Sequence, residues 1–317
     1  MNMVWLRGWV WLSVLLSALP ARAESVVVDS GCAATEIWVA NTRSGDCDDP
    51  PRLSRCTEGD GWQKAKLAEL RKLPPGWTTC VWIHGNDNSD ADARYQGKYL
   101  MQRLAGYGAA AQGVRVLVWS WPSEKTGAGP LEDLRIKARR SDSEAHRLSA
   151  FVRRWQPGGQ VTFVGYSFGG RIITGALDDL AEPVEATSES DTENGMIANA
   201  VLMAPAMNNC WLLPGNVHGE AVAQVNELLI VKNSVDRALK WYPIVAYGRL
   251  HSGPQALGYT GLPGVSRLGE DADKVVHYNV SRIIGPEHDV MRYLSSPRIM
   301  GRVAPYVFGP ASDDHGD

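Results

Sequence analysis

Residues 160–175, QVTFVGYSFGGRIITG, restrict the fold of this chain more than any other stretch of its sequence. They begin with a short apolar run of the kind that a buried parallel strand shows, and helical spacing starts at Arg171. Between the two lies the pattern G-x-S-x-G, with Ser167 at its centre. Such a turn needs both glycines because a Cβ would collide with the neighbouring strand and helix. The stretch therefore predicts a strand, a strained turn that presents Ser167 at the carboxyl end of that strand, and a helix.

Strands and helices are predicted to alternate along most of the chain. A long amphipathic helix is predicted over 131–155, and shorter helices over 63–73, over 171–180 and from Val290. The segment 42–61 lacks periodicity and predicts a loop. Further apolar runs predict strands at 36–41, 79–83, 114–119, 197–204, 228–232 and 275–279. This alternation predicts an α/β fold with a mostly parallel central sheet and helices on both faces.

Three side chains along the chain have the chemistry to work with one another. Serine is a weak nucleophile unless a base takes its proton and an acid orients that base. Ser167, Asp236 and His288 follow in this order, each in a loop directly after a predicted strand. Because the carboxyl ends of parallel strands share one edge of a sheet, we expect the three to meet there. The order predicts that Ser167 attacks, His288 moves the proton and Asp236 holds the imidazole.

Other acids and histidines fit these roles less well by position. Asp178 and Asp179 lie in the helix after the serine, pointing away from the edge, and His277 lies within a predicted strand. His251, in a Gly- and Pro-rich stretch between the last two strands, is the best competing base. Asp289 is too close to the predicted base in sequence to orient it easily.

Two backbone N–H groups are predicted to hold the oxyanion of an acyl-transfer reaction. Phe168 follows the serine at a helix N-terminus, where negative charge is favoured. The strand at 79–83 runs directly into His84, Gly85 and Asn86, and either Gly85 or Asn86 can supply the second N–H. His84 itself is expected to be structural rather than a base.

Aromatic residues near the predicted edge are candidates for contact with substrate. Trp121, Tyr166 and Trp211 follow or end predicted strands, and aromatic walls suit an acyl chain or an aromatic group. Most of the twelve tryptophans are expected to pack in the core. The expected partner is a small-molecule or acyl substrate, and its identity does not follow from the sequence.

Composition argues against several other classes of partner. The chain has 32 basic and 35 acidic residues, with no basic patch of the kind that nucleic acid requires. No metal or organic cofactor is needed for the predicted chemistry. The sequence does not determine the oligomeric state.

Residues 1–23 have the pattern of a secretory signal peptide, with a basic start, a short apolar core and an A-x-A site ending at Ala23. The apolar run is too short to span a bilayer comfortably, although an uncleaved anchor is the alternative. We expect a secreted or periplasmic bacterial protein without a stable membrane anchor after cleavage, whose residues 24–317 form a single domain.

The chain has five cysteines, and export to an oxidising compartment would favour disulfides among them. Cys32, Cys47, Cys56 and Cys80 lie in or just after a cysteine-rich segment, 24–76, and one or two disulfides are expected among them. The spacing leaves all three pairings open, and a zinc site is the weaker alternative. Cys210, the odd cysteine, is expected to be a buried free thiol.

The segment 182–196 is acidic and almost without apolar residues. Such a segment buries too little surface to order itself, so it is expected to be mobile. It is interpreted either as a lid or as an idle surface loop.

Several of these motifs together resemble a known family. They are the His-Gly-Asn loop at His84, Trp-Ser-Trp-Pro from Trp119, Gly-Tyr-Ser-Phe-Gly-Gly, Met-Ala-Pro-Ala-Met from Met203, Asn-Ser-Val-Asp ending at Asp236, and the loop that carries His288. Over residues 37–300 the chain looks like a bacterial family of exported or hypothetical proteins with the α/β-hydrolase fold. The resemblance implies that fold and a Ser-Asp-His triad, and it implies no substrate.

The residues and the resemblance lead to one functional hypothesis and one alternative. The hypothesis is a secreted serine hydrolase that cleaves an ester, thioester or amide through an acyl-enzyme. The alternative is a non-catalytic binding protein on a hydrolase scaffold.

Overall fold

The computed structural model describes residues 34–44, 49–56, 61–108, 112–182, 198–248 and 253–309. Nine strands in the described residues form one sheet. They are β1 Ala34–Asn41, β2 Arg52–Cys56, β3 Trp62–Lys64, β4 Trp77–Ile83, β5 Gly113–Ser120, β6 Val161–Tyr166, β7 Ala198–Met203, β8 Glu227–Lys232 and β9 Val275–Asn279.

The strand order in the sheet is β3-β2-β1-β5-β4-β6-β7-β8-β9. The seven neighbouring strands β1-β5-β4-β6-β7-β8-β9 pair in parallel. Strand β2 pairs antiparallel with β1 and with β3. All residues of β5, β6 and β7 are buried, which explains why these strands read as continuous apolar runs. Strand β6, which leads into Ser167, therefore lies in the middle of the sheet.

Helices connect the parallel strands. The described helices are α1 Leu67–Leu70, α2 Asp90–Ala105, α3 Pro130–Trp155, α4 Phe168–Ala181, α5 Arg237–Lys240, α6 Tyr242–Tyr247, α7 Leu257–Thr260, α8 Ser281–Ile284, α9 Val290–Ser295 and α10 Pro297–Phe308. A 3-10 segment, Val265–Lys274, precedes β9.

The longer helices form two layers. Helices α3 and α4 pack on each other, and α2, α9 and α10 form a second group. Both α4 and α10 contact β4, β6 and β7, so the two groups cover opposite faces of the same strands. The predicted α/β class, with a mostly parallel sheet and helices on both faces, is confirmed.

Large side chains fill the layers between the sheet and the helices. Trp38, Trp82, Trp119 and Trp155 are completely buried, as expected for most of the tryptophans. The Trp119 indole N–H donates to the buried carboxylate of Glu144 (2.9 Å). Burying a large apolar side chain contributes roughly 1.5–3 kcal/mol, so these rings stabilise the packing of the helices on the sheet.

The region before β4 differs from the prediction. Residues 42–61, predicted to be a loop, contain β2, and residues 63–73, predicted to be one helix, contain the end of β3 and the single turn α1. The reason is that β2 is a polar strand, RLSRC, with no fully buried residue. A strand exposed at the margin of the sheet lacks the apolar run that marks the central strands.

Helix α2 was not predicted at all. Its buried face is made largely of small or polar residues, among them Ala93, Gln96 and Gly97, so its apolar periodicity is weak. The signal that could have found it is the capping box at its start. There the Ser89 hydroxyl accepts from the Asp92 N–H (3.1 Å), and the Asp92 carboxylate accepts from the Ser89 N–H (2.8 Å).

The cysteine expectations change where the structure describes the residues. Cys80 is a free thiol in the middle of β4, completely buried between the layers, and burial raises its pKa. It therefore leaves the set of predicted disulfide partners. Cys210 is free and only partly buried. Cys32 and Cys47 lie outside the described residues. No disulfide is found among the residues that the structure describes.

Other sequence expectations concern parts of the chain beyond the described residues. The predicted signal peptide and nearly all of the segment 182–196 fall there. The flanking residues Glu182 and Ala198 are described, and they lie where α4 ends and β7 begins, at the amino edge of the sheet.

No helix in the described part of the chain is long and apolar enough to cross a membrane.

Candidate active site

Ser167 sits on a strained turn between β6 and α4. Its φ is 55° and its ψ is −116°, a backbone conformation that L-residues rarely adopt. The Ser167 N–H donates to the Met203 carbonyl (2.9 Å), and the Ser167 carbonyl accepts from the N–H groups of Gly170 and Ala206 (3.1 Å each). These hydrogen bonds to the start of α4, to the end of β7 and to the loop after β7 stabilise the strained conformation of Ser167.

The two glycines of the motif make the turn sterically feasible. A Cβ on Gly165 would lie 2.5 Å from the Cδ1 of Ile173, and a Cβ on Gly169 would lie 2.1 Å from the carbonyl oxygen of Ile83. Real Cβ contacts are essentially never this short, so the helix could not approach the sheet with side chains there.

The structure brings Ser167, His288 and Asp236 into one chain of hydrogen bonds. His288 Nε2 lies 3.0 Å from Ser167 Oγ, and His288 Nδ1 lies 2.7 Å from Asp236 Oδ2. The His288 side chain is 19% exposed, whereas the Asp236 side chain is completely buried. Both distances are within hydrogen-bond range, so the proton path needs no rearrangement.

Asp236 uses each carboxylate oxygen for a different purpose. Oδ2 faces His288, and Oδ1 accepts from the Leu239 N–H (2.9 Å), so that Asp236 is the N-cap of α5. With both oxygens accepting, the hydrogen on His288 Nδ1 points to Asp236. His288 Nε2 is then the ring nitrogen that can accept the Ser167 proton.

Two loops bring the acid and the base together: the acid loop, residues 233–236, and the base loop, residues 285–289. The buried Asn233 side chain donates from Nδ2 to the Gly285 carbonyl (2.8 Å). The Arg237 N–H, just after the acid loop, donates to the Pro286 carbonyl (3.0 Å). Sequence reasoning missed this role of Asn233, because the bond joins residues far apart in the chain.

Asn233→Ala is expected to loosen the base loop from the acid loop. Removing one partner of a buried hydrogen bond costs about 1–3 kcal/mol, and misplacement of the base should lower turnover at least about tenfold. Urea unfolding and kcat on any ester that the protein hydrolyses would measure both effects. Ser234→Ala is the control, because among the residues that the structure describes this exposed hydroxyl bonds only the side chains of Ser281 and Asn279. Equal effects of the two changes would contradict this role of Asn233.

The alternative acids and bases are engaged elsewhere. The Asp289 side chain caps α9 by accepting from the Met291 N–H (2.9 Å), and His277 Nε2 accepts from the Leu262 N–H (2.9 Å). Asp179 pairs with His146 (2.6 Å) on the surface formed by α3 and α4. His251 lies outside the described residues.

Two of the predicted oxyanion donors, Phe168 and Gly85, lie at the Ser167 turn. Phe168 is the first residue of α4, so its N–H has no acceptor within the helix. Gly85 packs directly on the turn, since a Cβ there would lie 3.1 Å from the Ser167 Cβ. Asn86 follows Gly85, and these residues belong to a segment, 84–88, that we call the oxyanion loop.

The oxyanion loop is held by residues that the sequence did not single out. The Asp87 N–H donates to the Ser123 carbonyl (2.8 Å), which fixes Asp87 at a positive φ of 61°. The completely buried Lys137 on α3 forms an ion pair with the Asp87 carboxylate (3.8 Å). The Asn88 side chain donates to the carbonyl of Asn86 (2.7 Å). The loop is thus fixed before any substrate binds.

His84 lies beneath the oxyanion loop and is completely buried. Its Nε2 accepts from the backbone N–H of Trp121 (3.2 Å), and its Nδ1 lies 2.9 Å from the Gly85 carbonyl, to which it donates. Burial lowers the pKa of His84 to about 3. A neutral ring with both nitrogens engaged supports the loop and is not placed to act as a base.

Trp121 does not contribute a surface for substrate in this structure. It is completely buried, its ring stacks on that of His84 at 5.6 Å, and its indole N–H donates to the His84 carbonyl (2.9 Å). The prediction that Trp121 contacts substrate is therefore corrected. The strand-end position was read correctly, but the direction of the ring depends on packing that the sequence does not reveal.

The other two predicted aromatic contacts differ from each other. Tyr166 is also buried, and its ring packs against His288. Trp211 is partly exposed, beside the Arg171 guanidinium at 4.6 Å. Exposed apolar side chains that the sequence did not single out flank Asp236 instead: Val235 is 48% exposed and Trp241 is 45% exposed.

Comparisons with known proteins agree with this architecture. A family model described as "Alpha/beta hydrolase of unknown function (DUF900)" matches residues 63–248, which include Ser167 and Asp236 and end before His288. No curated protein matches the sequence.

Three solved structures illustrate what this chain is similar to. Thermogutta terrifontis esterase 2 phosphorylated by paraoxon is 14% identical over 85% of this chain and 90% of that chain, with a TM-score of 0.37. A cutinase-like protein from Cryptococcus sp. is 11% identical over 73% of this chain and 93% of its own, with a TM-score of 0.36. Zea mays acyl-protein thioesterase 2 is 15% identical over 74% of this chain and 95% of its own, with a TM-score of 0.38.

Proposed function

This chain belongs to the α/β-hydrolase family of unknown function (DUF900), and we propose that it is a serine hydrolase that cleaves carboxylic esters through an acyl-enzyme. The observation that carries the proposal is the unbroken chain of hydrogen bonds from Asp236 through His288 to Ser167. A serine on a strained turn, a base within reach of its hydroxyl and a buried acid behind that base are the parts that nucleophilic acyl transfer requires.

The proposed reaction has two halves. Ser167 Oγ attacks the carbonyl carbon of the ester while His288 Nε2 takes its proton, and the resulting oxyanion accepts from the N–H groups of Phe168 and of Gly85 or Asn86. His288 then returns the proton to the leaving alcohol, which leaves an acyl group on Ser167. In the second half water attacks that acyl group while His288 takes a proton from the water. His288 then gives this proton to Ser167 Oγ as the bond between Oγ and the acyl carbon breaks, which releases the acid and restores the serine.

Asp236 serves this reaction by fixing the ring and its charge. When His288 takes the proton, the imidazolium donates from Nδ1 to a carboxylate that is completely buried. A charge-assisted hydrogen bond of this kind is about twice as strong as a neutral one, so it favours the protonated base in the transition state. In this mechanism the proton stays on His288 and is not passed on to Asp236.

A carboxylic ester is the proposed bond, ahead of a thioester or an amide. An amide nitrogen leaves only after protonation, which places a stricter demand on the position of His288 than an alcohol does. Trp211 lies beside Arg171 of α4, Val235 lies in the acid loop and Trp241 follows α5, and their partly or largely exposed apolar surface suits a small or acyl substrate. The N-terminal pattern of residues 1–23 supports a secreted or periplasmic site of action.

Labelling with a fluorophosphonate tests the proposal without knowledge of the substrate. Such a probe reacts with an activated serine, so we expect one label per chain on Ser167, found by mass spectrometry of the peptides. His288→Ala should slow labelling severely, because the base is lost. An unlabelled protein with an intact fold would contradict the proposal and favour the non-catalytic binding protein. A screen of aryl esters across acyl lengths, with thioesters and peptides alongside, would then identify the bond.

A further inference from the structure

Tyr166, the residue before the nucleophile, lies against the base rather than against a substrate. The centroids of the Tyr166 and His288 rings are 4.9 Å apart, and the ring planes are tilted by 34°. Only 5% of Tyr166 is exposed, and its hydroxyl has no hydrogen-bond partner within the described residues. The aromatic ring, and not the hydroxyl, is therefore the part of Tyr166 that contacts the site.

The position of the ring is fixed from two other sides. Tyr293 of α9 packs edge-on against it, with ring centroids 5.5 Å apart. Gly85 of the oxyanion loop packs on the ring edge, since a Cβ on Gly85 would lie 3.0 Å from the Tyr166 Cδ1. Tyr166 thus touches both the oxyanion loop and the base, and it cannot turn away from either without displacing buried groups.

We propose that Tyr166 is a positioning residue whose ring holds His288 in place and stabilises the imidazolium form through its π face. A cation within about 6 Å of an aromatic centroid is attracted by the ring quadrupole, and more strongly when water is excluded. His288 carries a positive charge only after it has taken the Ser167 proton, so this attraction acts in the transition state and hardly at all before it. The inference rests on the proposed serine-hydrolase function.

The other groups around His288 leave this role open to Tyr166. Ser167 and Asp236 contact the two ring nitrogens in the plane of the imidazole. Glu287 and Asp289, beside His288 on the base loop, are exposed, and Asp289 caps α9. The Tyr166 ring contacts the imidazole in addition to these two hydrogen bonds, with the ring centroids 4.9 Å apart.

The test compares Tyr166→Phe with Tyr166→Leu over the pH profile of kcat/KM. Phenylalanine keeps the ring and removes a hydroxyl without a partner in the described residues, so the midpoint of the acid limb should stay where it is in the wild type. Leucine keeps an apolar side chain but removes the π face. Tyr166→Leu should lower the plateau value of kcat/KM about tenfold. It should also move the midpoint of the acid limb about one pH unit toward lower pH. A loss of packing alone would lower the rate without moving the midpoint in this direction.

A second measurement separates this inference from the function on which it rests. In the Ser167→Ala background, NMR titration of His288 should show the same downward movement of the midpoint in the Tyr166→Leu variant, whether or not the wild type hydrolyses esters. An unmoved midpoint in Tyr166→Leu, or a Tyr166→Phe variant that behaves like it, would overturn the role of the ring. A wild-type protein that is neither labelled by a fluorophosphonate nor active would instead overturn the proposed function.

Discussion

Ser167→Ala is expected to lower kcat on any ester that the wild type hydrolyses by about 10⁶-fold, because it removes the nucleophile itself. The fold should be unaffected. Alanine at a φ of 55° is no more strained than serine there, and within the described part of the chain the hydroxyl bonds only His288 Nε2. Thermal unfolding should therefore differ little between variant and wild type, and steady-state kinetics with an aryl ester measure the loss.

The chain offers a matched control for this experiment. Ser149, His146 and Asp179 form a second cluster of the same three residue types, outside the proposed site. There Ser149 donates to Asp179 (3.2 Å) and to the His146 carbonyl (2.9 Å), so no ring nitrogen accepts its proton. Ser149→Ala should leave turnover unchanged.

Combining the change with loss of the base gives a further check. Ser167→Ala, His288→Ala and the double variant should all fall to about the same residual rate, because residues that act as one unit are not additive. Residual turnover within tenfold of the wild type in Ser167→Ala would mean that the nucleophile lies elsewhere.

The sequence predicted the centre of the fold far better than its margin. Strands β5, β6 and β7 are buried on both faces, so burial alone forces an apolar run that can be read directly. Strand β2 and helix α2 gain their stability from pairing and packing with distant elements, and their own sequences carry a weak pattern. The sequence predicts an element well when the element is fully buried and its residues must be apolar. It predicts an element poorly when the element is stabilised by contacts with distant parts of the chain.

The proposed site divides in the same way. The order of Ser167, Asp236 and His288 could be read because each follows a strand whose carboxyl end must reach one edge of the sheet. The contacts that fix them could not, since Asn233 bonds Gly285 across 52 residues of chain. Ring direction was also hidden, which is why a buried Trp121 was expected to contact substrate.

Asp236→Asn is expected to cut turnover by up to about 10⁴-fold while the fold stays nearly intact. Asp236 accepts two hydrogen bonds, one from Leu239 N–H at Oδ1 and one from His288 at Oδ2, whereas asparagine has one acceptor oxygen. If that oxygen keeps the cap of α5, the amide NH₂ faces His288 Nδ1. The imidazole must then carry its hydrogen on Nε2, and it can no longer accept the Ser167 proton.

The opposite orientation of the new amide gives a different and separable result. If the oxygen faces His288, the tautomer is preserved and the α5 cap is lost, so turnover survives and stability falls by about 1 kcal/mol. Measuring kcat and the unfolding midpoint on the same preparation distinguishes the two.

Asp289→Asn is the matched control for the acid. Its carboxylate caps α9 through the Met291 N–H, a role that asparagine fills equally well. It should therefore change neither stability nor turnover appreciably, although it removes the same charge one residue from His288. If Asp236→Asn kept near-normal turnover with its cap intact, while Asp289→Asn or His251→Ala abolished turnover, Asp236 would not be the acid that orients His288. The Ser167 assignment would still stand on its own labelling and kinetics.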